Sequence, residues 1–156
     1  DAGREFGIVP FGVEAQRILR LEKKHIVVSQ DTDAVTNPLA ADLAWAVKFD
    51  KEDFIGKRAL QEIEQRGLRN KLVGFLMMDS TVPEEGAPVI ADSKPIGRVT
   101  SSRLSLTLGR GCGLAWVPLD RSEEGEEINI LVGGRAVVAQ VAEAPFYDPE
   151  GTRLRE

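Results

Sequence analysis

Cysteine, histidine and tyrosine each occur once, as Cys112, His25 and Tyr147. A single cysteine excludes an internal disulfide and any multi-cysteine metal centre. It fits a reducing compartment, and a cytoplasmic protein is the expectation. Long apolar runs are also missing. No segment approaches the ~20 apolar residues a membrane helix needs, and no basic stretch leads into an apolar one as in a secretory signal. Positive charge is not in excess. With 20 basic and 25 acidic residues the formal net charge is −5, and the signs are mixed throughout, so neither nucleic acid nor membrane is an expected partner. The chain has no G-x-S-x-G, no H-E-x-x-H, no P-loop and no C-x-x-C, so those hydrolase, zinc, nucleotide and dithiol chemistries have no motif here.

What is present is the composition of a globular chain, 42% hydrophobic and 29% charged over 156 residues. That length suits one ordinary domain, or a small domain with an extension. The chain opens on Asp1 and runs at once into the apolar segment Phe6-Gly-Ile-Val-Pro-Phe-Gly12, with nothing before it to pack on. The expectation is a C-terminal piece of something longer.

Residues 1–11 read as an extended lead-in ending at Pro10. Gly12 to Lys24 reads as a helix, with Val13, Ala15, Ile18, Leu19 and Leu21 on an imperfect apolar face. Lys23, Lys24 and His25 fall in its last turn, where cations complement the helix dipole. Gln16 and Arg20, four apart, share a face. Ile26 to Val28 reads as a short buried strand or an apolar crossing, and Ser29 to Pro38 as a polar loop. Leu39 to Val47 is helical in composition. Asp53 is a candidate cap for a helix over Lys57 to Arg66, stopped by Gly67.

Beyond Lys71 the period changes from helical to strand-like, with turn signals about every ten residues. Expected strands are Leu72–Met78, Pro88–Ala91, Pro95–Thr100, Gly113–Val117, Glu127–Val132 and Arg135–Val141. Gly133-Gly134 between the last two is a strong hairpin signal. The fold class is α+β: a helical and loop-rich part over residues 1–70, then a small antiparallel barrel or sandwich over 71–156.

Few residues carry chemistry on their own. Cys112 lies between glycines in a strand, where a buried inert thiol is the usual case. Asp31 and Asp33 read as turn and cap formers ahead of a metal pair. The glycine-rich run Gly109 to Gly113 does not open a helix, so it is no phosphate cradle. Trp45 and Trp116 read as core or domain-interface residues.

The order of motifs carries further. Phe6-Gly-Ile-Val-Pro-Phe-Gly, Leu-Arg20-Leu-Glu-Lys, Thr36-Asn-Pro-Leu-Ala-Ala-Asp-Leu-Ala-Trp-Ala-Val, Asp53-Phe-Ile-Gly-Lys-Arg-Ala-Leu, the run Ile96-Gly-Arg-Val-Thr-Ser-Ser to Leu-Thr-Leu-Gly109, Leu114-Ala-Trp-Val-Pro and Ala144-Pro-Phe-Tyr-Asp-Pro follow one another. In this the chain resembles the C-terminal part of the glycine-cleavage T-protein (aminomethyltransferase) family. Within it the likeness leans to the folate-binding region of sarcosine oxidase alpha subunits and dimethylglycine dehydrogenases.

The resemblance implies the end of a folate-binding domain over 1–70 and a C-terminal β-barrel over 71–156. It implies transfer of a one-carbon unit from an amine to tetrahydrofolate, with the family's catalytic aspartate in a preceding folate domain and no catalytic residue here. Expected partners are that N-terminal folate domain or a partner chain, and a flavin on a missing domain or flavoprotein subunit. The implied folate-side residues are Gln16, His25, Tyr147 and Arg153. Gln16 stands where glycine-cleavage enzymes carry an arginine, and an amide cannot grip a carboxylate with a charged fork. Arg153 suits the glutamate carboxylate of folate, against a frayed tail as the plain alternative. Arg20 and Glu22 are expected in structural ion pairs or on the helix surface. The one-carbon donor is an N-methyl amine such as sarcosine or dimethylglycine. The alternatives are the glycine-cleavage enzyme proper, fed by an aminomethyl-lipoyl carrier protein, or a non-catalytic folate-binding or docking module. Relatives that assist iron–sulfur assembly carry a cysteine where this chain has Ile26, which argues against that variant.

Overall fold

A computed structural model describes residues 2–155. Its centre is a barrel of β1 (Asn70–Met77), β2 (Pro88–Ala91), β3 (Lys94–Ser105), β4 (Arg110–Pro118), β5 (Glu127–Val132) and β6 (Arg135–Ala142). The spatial order is β1-β4-β3-β2-β5-β6, every neighbouring pair is antiparallel, and β6 closes on β1. The barrel alternative is the one realised. Closure removes both sheet edges. Two turns with left-handed backbone make its tight hairpins: Asp92-Ser93 (φ 48° and 63°) between β2 and β3, and Gly133-Gly134 (φ 55° and 79°) between β5 and β6.

Alternation along the strands sorts the side chains. Val73, Phe75, Met77, Val89, Val99, Ala115, Val117, Ile128, Ile130, Ala139 and Val141 fill the interior. The opposite faces of β1 and β4 are covered too, because Leu72, Cys112 and Leu114 pack outside against Leu21 of the first helix. Gly74 belongs to that outer layer. A Cβ there would sit 2.6 Å from the Phe146 ring, so glycine lets Phe146 lie flat on β1.

That first helix, α1 (Val13–Glu22), is shorter than the pattern suggests. Lys24 turns left-handed (φ 56°), its N–H donates to the Leu21 carbonyl at 2.9 Å, and the His25 N–H donates to the Arg20 carbonyl at 2.7 Å. This is a Schellman ending, and it puts His25 beyond the helix instead of in its last turn. α2 (Lys57–Arg66) has the expected span and Gly67 ends it, but its cap is Gly56 at φ 93°, and Asp53 only accepts the neighbouring Phe54 N–H. None of α2's side chains is buried.

Four further expectations are corrected. The lead-in is not extended throughout, because Arg4–Phe6 make a 3-10 turn. Ile26 to Val28 form no strand: Val28 makes one isolated bridge to Thr32, and Val27 and Val28 are exposed. Leu39 to Val47 is not a helix. Asp42 is left-handed (φ 60°), which interrupts the run and leaves a 3-10 turn at Ala44–Ala46. Trp45 is 76% exposed and so lies outside the core. Among the described residues no helix is long and apolar enough to cross a membrane.

Candidate functional site

The site begins with a buried carboxylate in the polar loop. Asp31 is fully buried, and four donors converge on it. Arg20 Nη1 lies 2.6 Å from Oδ2, the Val27 N–H donates to the same oxygen at 2.7 Å, and Thr100 Oγ1 donates to Oδ1 at 2.7 Å. The Ser101 hydroxyl also donates to Oδ1, while it accepts Arg20 Nη2 at 2.6 Å. Adjacent residues of a regular strand point to opposite faces, so Thr100 and Ser101 could not ordinarily meet one carboxylate. A bulge resolves this: β3 slips against β4 between Val99 and Ser101 and turns both hydroxyls the same way. The Trp116 indole N–H donates to the Asp31 carbonyl at 2.9 Å and closes the loop onto the barrel.

The C-terminal end of α1 is tied as firmly. Glu22 is buried and accepts Ser105 Oγ at 2.5 Å. Its carbonyl accepts the Phe146 N–H at 2.8 Å and the Tyr147 N–H at 3.2 Å, which draws the C-terminal tail across the end of α1. Lys23 Nζ donates to the Asp148 carbonyl and lies 3.1 Å from its Oδ2. Asp148 Oδ1 in turn accepts the Thr152 N–H and hydroxyl at 2.9 and 2.8 Å. The Thr152 hydrogen bonds, aided by Lys23, hold the Asp148 carboxyl below the usual range. The tail is tethered through Asp148 and continues into a 3-10 turn at Thr152–Leu154.

Between α1 and this tail lies a cavity of about 430 Å³. Gln16, His25, Tyr147 and Arg153 all line it, together with Phe11 and Leu19. Four residues singled out from three parts of the sequence thus face one space. Arg153 lies over the Tyr147 ring, its guanidinium carbon 5.6 Å from the centroid, and it has no carboxylate partner among the described residues. Arg20 reaches the same cavity, but its charge is already neutralised by Asp31, and its Nε is buried without a hydrogen-bond partner. The expected structural ion pair of Arg20 is thus found, with Asp31, and Glu22 is held by a hydroxyl instead of a cation. The cavity combines apolar walls, hydrogen-bonding groups at Gln16 and His25, and an available cation at Arg153. That arrangement can take a flat, amphipathic ligand with an anionic end.

Sequence reasoning missed Asp31 as the clamp on Arg20. Hydrogen bonds within the protein occupy both oxygens of Asp31 and one oxygen of Asp33. Asp33 Oδ1 accepts the Val35 N–H and the Thr36 hydroxyl in a local turn, and no group of three metal-capable residues exists among the described residues. Cys112 is fully buried, and burial, reinforced by the Glu22 carboxylate, pushes its thiol up to about 11. A thiol in that state is no nucleophile at neutral pH.

A small closed barrel, with a helix and a tail packed on its outside and a cation-edged cavity between them, defines a β-barrel module. The model for the glycine cleavage T-protein C-terminal barrel domain matches residues 70–148, and that for the GCVT N-terminal domain matches residues 1–51. The chain belongs to the glycine cleavage T-protein family. It is 43% identical over 146 residues to the aminomethyltransferase of Halothermothrix orenii, covering 94% of this chain and 41% of that one. It is 42% identical over 160 residues to a probable aminomethyltransferase of Thermococcus kodakarensis, with 96% and 40% covered. A crystal structure of glycine cleavage system aminomethyltransferase T from Bartonella henselae superposes with a TM-score of 0.83 at 27% identity, over 88% of this chain and 39% of that one. The chain spans about two-fifths of the length of the relatives it matches.

Proposed function

We propose that this chain supplies the barrel and one wall of the folate site of a folate-dependent aminomethyltransferase, acting within a longer chain or complex. The observation that carries the reading is the meeting of Gln16, His25, Tyr147 and Arg153 around one cavity. In this reading Tyr147 and Phe11 offer surface to the aromatic parts of tetrahydrofolate, Arg153 meets its glutamate carboxylate, and Gln16 and His25 fix its orientation by hydrogen bonds. Asp31, Ser101 and Thr100 hold Arg20 and the end of α1 rigid, so the wall does not reorganise as the ligand arrives. The chain's own residues bind, orient and exclude water. Proton transfer belongs to groups on the preceding folate domain or a partner chain.

As the donor of the carbon we favour the aminomethyl carrier of glycine cleavage, since the relatives reported above bear the name aminomethyltransferase. An N-methyl amine oxidised at a flavin remains the second reading. Gln16, standing where glycine-cleavage enzymes have an arginine, is the feature that favours it.

Calorimetric titration of tetrahydrofolate, under anaerobic conditions, tests the shared part. Arg153→Ala should weaken binding about tenfold or more, the usual effect of losing a charged hydrogen bond, with the melting point unchanged. Equal affinity in wild type and in a Tyr147→Ala/Arg153→Ala double variant would remove the cavity from the folate site. A flavin absorbance band in the purified protein or its co-purifying partner would favour the second donor.

A further inference from the structure

A different cavity, of about 290 Å³, shares no lining residue with the first. It lies where the end of α2 meets β3 and β4, and Arg66, Arg69 and Arg98 all line it. An adjoining hollow, also about 290 Å³, shares Asn70, Arg98 and Trp116 with it, so the two form one groove along the barrel surface. Arg98 and Trp116 are cross-strand partners on β3 and β4, which fixes the arginine beside the indole.

Among the described residues the charge in this groove is answered only in part. Arg66 and Arg69 make no ion pair and no side-chain hydrogen bond among the described residues. Arg98 faces Asp33, but at 3.9 Å and with both side chains about half exposed, which contributes little. The other oxygen of Asp33 is taken by its own loop. Three guanidinium groups thus line one groove in a protein of net charge −5. Their summed positive field favours an anion arriving from outside.

We propose that the Arg66–Arg69–Arg98 groove binds an acidic segment of a partner protein, one in which Asp or Glu alternates with apolar residues. Guanidinium forks grip carboxylates bidentately, the amides of Asn37 and Asn70 suit a peptide backbone, and Leu68 and Trp116 suit the intervening apolar side chains. Each hollow holds a side chain or two and the second adjoins the first through Asn70, Arg98 and Trp116, which suits an extended peptide better than a bare phosphate. Nucleic acid is disfavoured because a phosphate backbone needs a longer run of Lys and Arg than these three residues supply. The proposal stands apart from the folate reading, since the two cavities have no residue in common.

Fluorescence anisotropy of a fluorescein-labelled peptide of alternating Glu and Leu, added to the protein as purified, tests this. Binding should weaken steeply with added salt, and a Gln-for-Glu peptide should not bind. Arg66→Gln/Arg69→Gln/Arg98→Gln should weaken binding at least about tenfold, while Arg135→Gln on the far hairpin leaves it unchanged. All three sites are exposed, so melting points should match the wild type. The proposal is overturned by absence of peptide binding at low salt, by equal binding in the triple variant, or by tighter binding of a single-stranded oligonucleotide of equal charge.

Discussion

The barrel over residues 70–142 and the chain before it are held by opposite means. The barrel interior is built on an apolar cluster fed by alternate residues of six strands, and its sheet has no open edge. The preceding half leaves Phe6, Ile8, Val9, Phe11 and Val13 exposed and sits on the barrel through few contacts. Leu21 is its fully buried apolar anchor, with Ile26 packed beside it; its polar ties are chiefly Arg20–Asp31 with Ser101 and Glu22 with Ser105. An apolar interior forgives local errors of geometry. A buried carboxylate needs all its donors at once, so the two attachments should fail differently.

The largest effect is expected inside the barrel. Phe75→Ala should cost about 4 kcal/mol through lost burial and the cavity left behind. Because Leu21 packs on the outer face of the same strands, α1 should be lost in the same urea transition, followed by circular dichroism. If α1 outlasts the barrel, the dependence runs the other way.

Asp31→Ala should come next, at about 3 kcal/mol, since it leaves Arg20 buried without its counter-charge. Here the damage should stay local. Amide exchange should quicken at Val27 and around residues 20–31, while Val99 and Ile130 in the barrel keep their protection. Equal acceleration in both regions would erase the contrast drawn above.

Acid should separate the regions more gently. Burial raises the Asp42 carboxyl, but the hydrogen bonds and charges of Lys24 and Lys71 outweigh it and hold it below the usual range, and Asp148 is likewise depressed. A depressed carboxyl stabilises the fold above its unfolded pKa, and that contribution is lost as pH falls through the folded value. The loss therefore begins near pH 4 and deepens below it, and it should strike the joins of Lys24 and Lys23 first. Monitored by amide exchange against pH, Lys23→Met should flatten the part due to Asp148. An unchanged profile in that variant would show that this tether contributes nothing.

How much of this was legible follows the same division. The strands Pro88–Ala91 and Glu127–Val132 and the helix Lys57–Arg66 have the spans that period, turn residues and Gly67 indicate. Local patterns sufficed because each strand's alternation names its own inner face. Leu39 to Val47 misled because its composition is helical, whereas the left-handed Asp42 answers to Lys24 and Lys71, far away in the chain. The site shows both outcomes. Gln16, His25, Tyr147 and Arg153 were reached through motif order, and they do face one cavity. Asp31 was passed over as a turn former, because nothing near it announces Thr100, Ser101 or Arg20.

By itself, then, the order of residues determined the barrel's strands, the hairpin at Gly133-Gly134 and the family to which the chain belongs, since these rest on periodicity, backbone preference and motif order. Only the tertiary structure decided that the barrel closes, that a bulge at Thr100 turns two hydroxyls onto Asp31, and that three arginines from α2, its following loop and β3 share one groove. Those facts depend on groups distant in sequence meeting at fixed angles, and a one-residue slip in strand register is enough to make or break them.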